Sequence, residues 1–219
     1  MKKFSVIHLF LCLLLSALLV FSLPACDNGR GSDSTGGSQV TFSILPDKDS
    51  QSAAVAEKIL VAYFSATGST RAVAETVTSH MGGVLFEIVP TDAYTSDDLN
   101  YNSASSRVFL EHNDDERQVE LAEGTPDNWS DYDVVFIGYP IWWGGAAFPV
   151  ETFVRVNDFT GKTVIPFCTS ASSGLGSSAD NLEKIANGGD WQTGIRFRSS
   201  VSAEDVTAWV DGLKFGKDN

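Results

Sequence analysis

The sequence predicts an α/β fold: a doubly wound, five-stranded parallel sheet in the order 2-1-3-4-5 with helices on both faces. Two observations predict it. Short, almost wholly apolar runs alternate with stretches of helical spacing, and strands that read apolar throughout are those buried on both faces, as parallel strands are. Small polar or glycine-rich segments directly follow three of these runs, which is where the ligand loops of an open sheet sit.

The expected strands are Lys58 to Phe64, Val84 to Ile88, Val134 to Tyr139, Thr163 to Cys168 and a weaker Thr193 to Phe197. Helical spacing runs from Thr70 to His80 through Val73 and Val77, and a short amphipathic stretch covers Pro149 to Val156. Ser178 to Ala186 and Ala203 to Leu213 supply two more helices, the last with Ser202 as its N-cap and a stop near Gly212 and Gly216. The connection from Val89 to Asp133 is about 45 residues, too long for a bare loop. A charged helix is expected within it, around Ser105 to Glu120.

Three segments make up the 219 residues. Residues 1–25 read as a signal peptide: Lys2 and Lys3 precede an uncharged apolar run from Phe4 to Leu23. Leu23-Pro24-Ala25-Cys26 resembles the lipobox of bacterial lipoproteins, which makes Cys26 the candidate for lipidation and the first mature residue. The alternative is an uncleaved membrane anchor, since the run approaches the ~20 apolar residues that span a bilayer. Either reading sets the folded part outside the cytoplasm. Residues 26–56 are rich in Ser, Gly, Asp and Thr and are expected to form a flexible tether, and 57–219 form the folded domain.

Formal net charge is −13, and without Lys2 and Lys3 the remaining 13 basic and 28 acidic groups give −15. Such a balance excludes a nucleic-acid or anionic-surface binder and suits an electron carrier with basic partners, or colloidal solubility alone. Of three cysteines, Cys12 lies in the leader, Cys26 is the lipid candidate and Cys168 is left alone, so no structural disulfide is expected. Cys168 reads as a buried residue ending a strand. His8 is in the leader, and His80 and His112 lack partners at ligand spacing, so no metal site is expected.

Three loops carry the chemistry. Ser65-Ala66-Thr67-Gly68-Ser69-Thr70 joins a strand to a helix, and such a turn offers backbone N–H groups, hydroxyls and the positive end of the helix dipole to one phosphate. It lacks the Gly-Lys-Ser/Thr of a triphosphate site and the G-x-G-x-x-G of a dinucleotide site. The alternative is that these hydroxyls merely cap the helix. Gly138-Tyr139-Pro140-Ile141-Trp142-Trp143-Gly144-Gly145 sets two tryptophans among glycines, unlike a core segment and suited to stacking on a planar ring or to docking a partner. Thr169-Ser170-Ala171-Ser172-Ser173-Gly174-Leu175-Gly176 is a small polar loop at the same edge.

From Glu57 to Leu213 the sequence resembles the flavodoxin family, in the bacterial branch marked by a P-x-W-W-G segment, a G-K-T-V-x-P-F strand and a Ser/Gly-rich loop. These stand here as Pro140-Ile141-Trp142-Trp143-Gly144, as Gly161-Lys162-Thr163-Val164-Ile165-Pro166-Phe167 and as the loop after Cys168. The resemblance implies FMN. It implies that Ser65, Thr67, Gly68, Ser69 and Thr70 hold the phosphate, that Pro140, Ile141, Trp142, Trp143 and Gly144 line the isoalloxazine, and that Thr169, Ser170, Ser172 and Gly174 close its other edge. Ser69 stands where the family commonly has Asn, and Ala171 where this branch often has Gly. Tyr94, Asp97, Asp98, Tyr101, Arg107 and Glu111 are also reminiscent of the branch; Tyr94 alone is a candidate for the flavin rim, and no residue is assigned as catalytic. The function so implied is FMN-dependent electron transfer outside the cell membrane, with a redox protein or small acceptor as partner. The alternatives are an FMN-dependent NAD(P)H:quinone-type reductase, or a flavin-free domain that binds through Trp142 and Trp143.

Overall fold

The computed structural model describes residues 57–214. The signal peptide, Cys26 and the tether, together with residues 215–219, lie outside the described residues.

The alternating pattern folds as expected, into β1 (Ile59–Tyr63), α1 (Ser69–Met81), β2 (Val84–Glu87), α2 (Arg107–His112), β3 (Val134–Trp142), β4 (Gly145–Ala146), α3 (Phe148–Val156), β5 (Thr163–Thr169), α4 (Ser178–Ile185), β6 (Asp190–Trp191), β7 (Ile195–Phe197) and α5 (Ala203–Asp211). The parallel sheet runs β2-β1-β3-β5, with β6 and β7 both on the outer edge of β5. This is the predicted order, with the fifth position split in two.

The split has a local cause. Pro166 in β5 has no N–H to offer its edge neighbour, and Gly194 packs against the Pro166 carbonyl so closely that a Cβ would stand 2.7 Å from it. The edge ladder therefore breaks between Trp191 and Ile195. β4 is the other addition: a two-residue strand pairs antiparallel with the end of β3, Ile141 with Ala146 and Trp142 with Gly145.

Both faces of the sheet are covered. Val61, Tyr63, Phe136, Ile165 and Phe167 pack under α1 and α5, while Leu60, Ala62, Val135, Ile137 and Tyr139 pack under α3 and α4. The core strand β3 is buried over Val134 to Tyr139, and this two-sided burial is what its unbroken apolar run signalled.

The long connection departs from expectation. Its helix is α2 alone, six residues in place of the span from Ser105 to Glu120. Ser106 starts it, its hydroxyl accepting from Phe109 N at 3.4 Å, and the Asn113 side chain stops it by donating to Phe109 O at 2.8 Å. Beyond Asn113 the chain forms loop, then pairs antiparallel with residues 89–91 just past the end of β2, where Ala122 N donates to Val89 O and Thr91 N to Glu120 O, both at 2.9 Å. Charge alone made the stretch look helical; the side-chain cap and this pairing end it early.

Candidate functional site at the carboxyl edge

The order of the sheet reverses between β1 and β3, and ligands of open α/β sheets bind in the crevice beyond such a point. The three predicted loops meet there. Residues 64–68 follow β1, the hairpin turn follows β3, and residues 170–177 follow β5.

The first loop leaves the start of α1 without a side-chain cap. Gly68 sits at the N-cap of α1 with φ 91°, a left-handed conformation that a side chain would strain, and no side chain caps the helix. The Ser65 hydroxyl accepts from Gly68 N at 3.1 Å and so shapes the turn, not the helix end. The first turn of α1 holds no acidic residue. Its leading N–H groups have no side-chain cap, and no carboxylate offsets the positive end of its dipole there.

The structure alters the roles of several predicted residues. Thr70 and Thr169 are buried, and their hydroxyls bond each other at 2.8 Å, tying the phosphate turn to the third loop. They brace the site from beneath. Ser65 and Ser69 are half-buried, and Thr67, Gly68, Ser172 and Gly174 are exposed around the rim. Ser170 is spent within its own loop: its N–H donates to Phe197 O at 3.1 Å, its hydroxyl donates to Ser173 O, and Arg196 donates to its hydroxyl at 3.0 Å and to its carbonyl at 2.9 Å.

The tryptophans divide between core and surface, which corrects the reading that neither belongs to the core. Pro140, Ile141 and Trp142 continue β3. Trp142 is 4% exposed, boxed edge-on by Phe64, Tyr94 and Phe148 with ring centroids 5.1 to 5.5 Å away. Trp143 is 38% exposed and turns the hairpin with Gly144, at φ 46° and 80°, the positive pair of a type I′ turn. Such a turn favours Asn-Gly, and a tryptophan there costs about 1–2 kcal/mol of backbone strain. Its ring is what the position keeps.

The long connection supplies the rings that meet it. His112 lies parallel to Trp143 at 4.4 Å and 5°, and Tyr101 lies 4.6 Å away at 49°. Tyr94 reaches the Trp142 side, its hydroxyl donating to Glu111 Oε2 at 2.5 Å while the Arg107 guanidinium lies 4.1 Å over its ring. Arg107 Nε completes the cluster by donating to Glu111 Oε1 at 2.7 Å. Burial, then the bond to Glu111, holds the Tyr94 phenol far above its ordinary pKa. Tyr94 is therefore a neutral donor braced behind the hairpin. Tyr101, noted in the sequence only as reminiscent of the branch, and His112, weighed only as a metal ligand, had no place at the site, and Arg196 lies in no motif; only the fold brings them to this edge.

Cys168 ends its strand fully buried, as expected, and burial pushes its thiol up to about 12. Among the described residues no cluster of His, Cys, Asp and Glu is arranged to hold a metal. A cavity of about 640 Å³ lies apart from the three loops, between residues 115–120 and α3, with Arg117 and Arg155 in its wall. Glu151 neutralises Arg117 at 2.9 and 3.0 Å, and Asp115, Glu116 and Glu120 also line it, so it is no site for a multiply charged anion.

An open helix start for one phosphate, an aromatic hairpin beside it and a polar loop opposite define a mononucleotide-binding α/β protein of the flavoprotein type. The chain belongs to the flavodoxin family, whose sequence pattern it matches over residues 58–213. It is similar to a candidate flavoprotein from Bacteroides eggerthii, with 42% identity over 70% of this chain and 96% of that one and a TM-score of 0.65. Another, from Bacteroides uniformis, is 37% identical over 72% and 99% of the two chains, with a TM-score of 0.67. A flavoprotein from Lactobacillus acidophilus, solved in complex with FMN, shares the fold at 24% identity over 71% and 99% of the chains, with a TM-score of 0.51. A comparison with curated proteins finds no match.

Proposed function

We propose that this domain binds one FMN at the carboxyl edge of β1, β3 and β5 and carries electrons, tethered by a lipid on Cys26 to the outer side of a bacterial cell membrane. The observation that carries the reading is the start of α1, uncapped by any side chain and free of acids in a chain with 28 of them. The N–H groups of Ser69 and Thr70 and the hydroxyls of Ser65, Thr67 and Ser69 are the donors for the phosphate. Trp143 offers ring surface, and the loop from Ser170 to Gly174 offers its backbone to the polar rim of the flavin. Bound FMN supplies the redox chemistry; the protein supplies orientation, exclusion of water and electrostatics. An overall charge of −13 makes a basic partner the favoured one and disfavours further negative charge on the reduced cofactor.

Absorbance of the full chain purified with added FMN, followed during anaerobic titration with dithionite, tests this. Shifted flavin bands and two separated one-electron steps are expected. A single two-electron step with turnover of NAD(P)H would replace the carrier by a reductase, and failure to retain flavin at micromolar FMN would remove the cofactor. Cys26→Ala is expected to move the protein from the membrane to the soluble fraction without changing its spectrum.

A further inference from the structure

The loop that closes the site after β5 is gripped from β7. Arg196, aligned with Cys168 across the β5–β7 ladder, reaches Ser170 with two donors, Nε to the hydroxyl and Nη2 to the carbonyl. Ser170 thereby has its N–H, its hydroxyl and its carbonyl all engaged. Residue 169, one position earlier, is bonded to Thr70 at the first turn of α1. The backbone at 169–170 is consequently held at two points, once from the phosphate turn and once from the edge strand.

Among the described residues no carboxylate lies within ion-pair distance of Arg196, as is also true of Arg155 and Arg198; Arg71, Arg107 and Arg117 each face one within 3.3 Å, while Arg196 spends its donors on a neutral serine. The planar guanidinium suits this two-point grip in a way that the single ammonium of lysine does not.

We infer that Arg196 is a positioning residue for the flavin site: it fixes the loop from Ser170 to Gly174 against the phosphate turn and keeps one positive charge at the edge where the cofactor binds. The inference rests on the FMN reading above. The residue acts through Ser170, and its charge favours whichever state of the ligand is more negative.

Arg196→Gln, Arg196→Lys, Ser170→Ala and the double variant Arg196→Gln/Ser170→Ala, each in the full chain, test it by FMN affinity, flavin midpoint potential and melting of the apoprotein. Arg196→Gln is expected to weaken FMN binding roughly ten- to a hundredfold, the cost of losing charged hydrogen bonds, and to lower the potential. Arg196→Lys should restore the potential and part of the affinity. The double variant should lose little more than Arg196→Gln alone, because the two residues act as one unit. Apoprotein melting should change little. An unchanged affinity and potential in Arg196→Gln would overturn the inference, as would losses that follow apoprotein melting and are equal in the Lys and Gln variants, since Arg196 would then only brace an edge strand. Wild-type protein that takes up no FMN would overturn the cofactor reading itself, and this shows before any variant is compared.

Discussion

Helices α1 and α5 lie side by side on one face of the sheet, yet they begin in opposite ways. At the start of α5 the Ser202 hydroxyl accepts from Asp205 N at 3.1 Å, and Glu204 and Asp205 set two negative charges on the first turn. At the start of α1 a left-handed glycine takes the N-cap, no side chain caps it, and no acid follows. Orphan N–H groups and a positive dipole end are common to both. One helix satisfies them with its own side chains; the other leaves them without a side-chain cap, which is why the proposed phosphate site is set there. Serine and threonine near a helix start thus carry no fixed meaning, and which N–H they reach decides between stability and binding.

The contrast can be broken most sharply with Ser69→Asp, which gives α1 the acid that α5 already has. A carboxylate close to the bound phosphate should weaken FMN binding about a hundredfold or more. Riboflavin binding should change little, and the apoprotein should gain about 0.3–1 kcal/mol from the dipole. Equal losses for FMN and riboflavin would mean that the phosphate does not sit at α1. Next in size is Thr70→Val, which keeps shape but strands the buried Thr169 hydroxyl; a loss of about 1–3 kcal/mol in stability is expected in chemical denaturation, with a smaller loss of FMN affinity. The smallest effect belongs to Ser202→Ala. Loss of that cap should cost about 1 kcal/mol, read as a lower melting temperature, and leave FMN affinity unchanged.

The two tryptophans show how far the motif could be read. Their position after a buried strand, beside glycines, marked a ring-lined site, and the hairpin is there. Their division was not legible. Residues 140–142 stay in the strand because β4 folds back to pair with them, and Trp142 is enclosed by Phe64, Phe148 and Tyr94, the last of these 48 positions earlier in the chain. A local window holds no record of that distant ring. The same limit hid the ring contacts of His112 and Tyr101 and the grip of Arg196, each made with a partner 26 to 42 residues away. It also made the span from Ser105 to Glu120 look like one helix when a cap at each end of α2 restricts it to six residues.

By itself the sequence determined the alternation of strands and helices, the strand order, the cap at Ser202 and the three loops that follow β1, β3 and β5, because apolar periodicity and turn chemistry act over a few residues. Only the tertiary structure decided which hydroxyls stay open at the sheet's carboxyl edge and which are buried in a bond between loops, that Trp142 belongs to the core, and that Arg196 grips Ser170. Those outcomes depend on what meets across the sheet, and burial and hydrogen-bond partners are set by contacts between segments far apart in the chain.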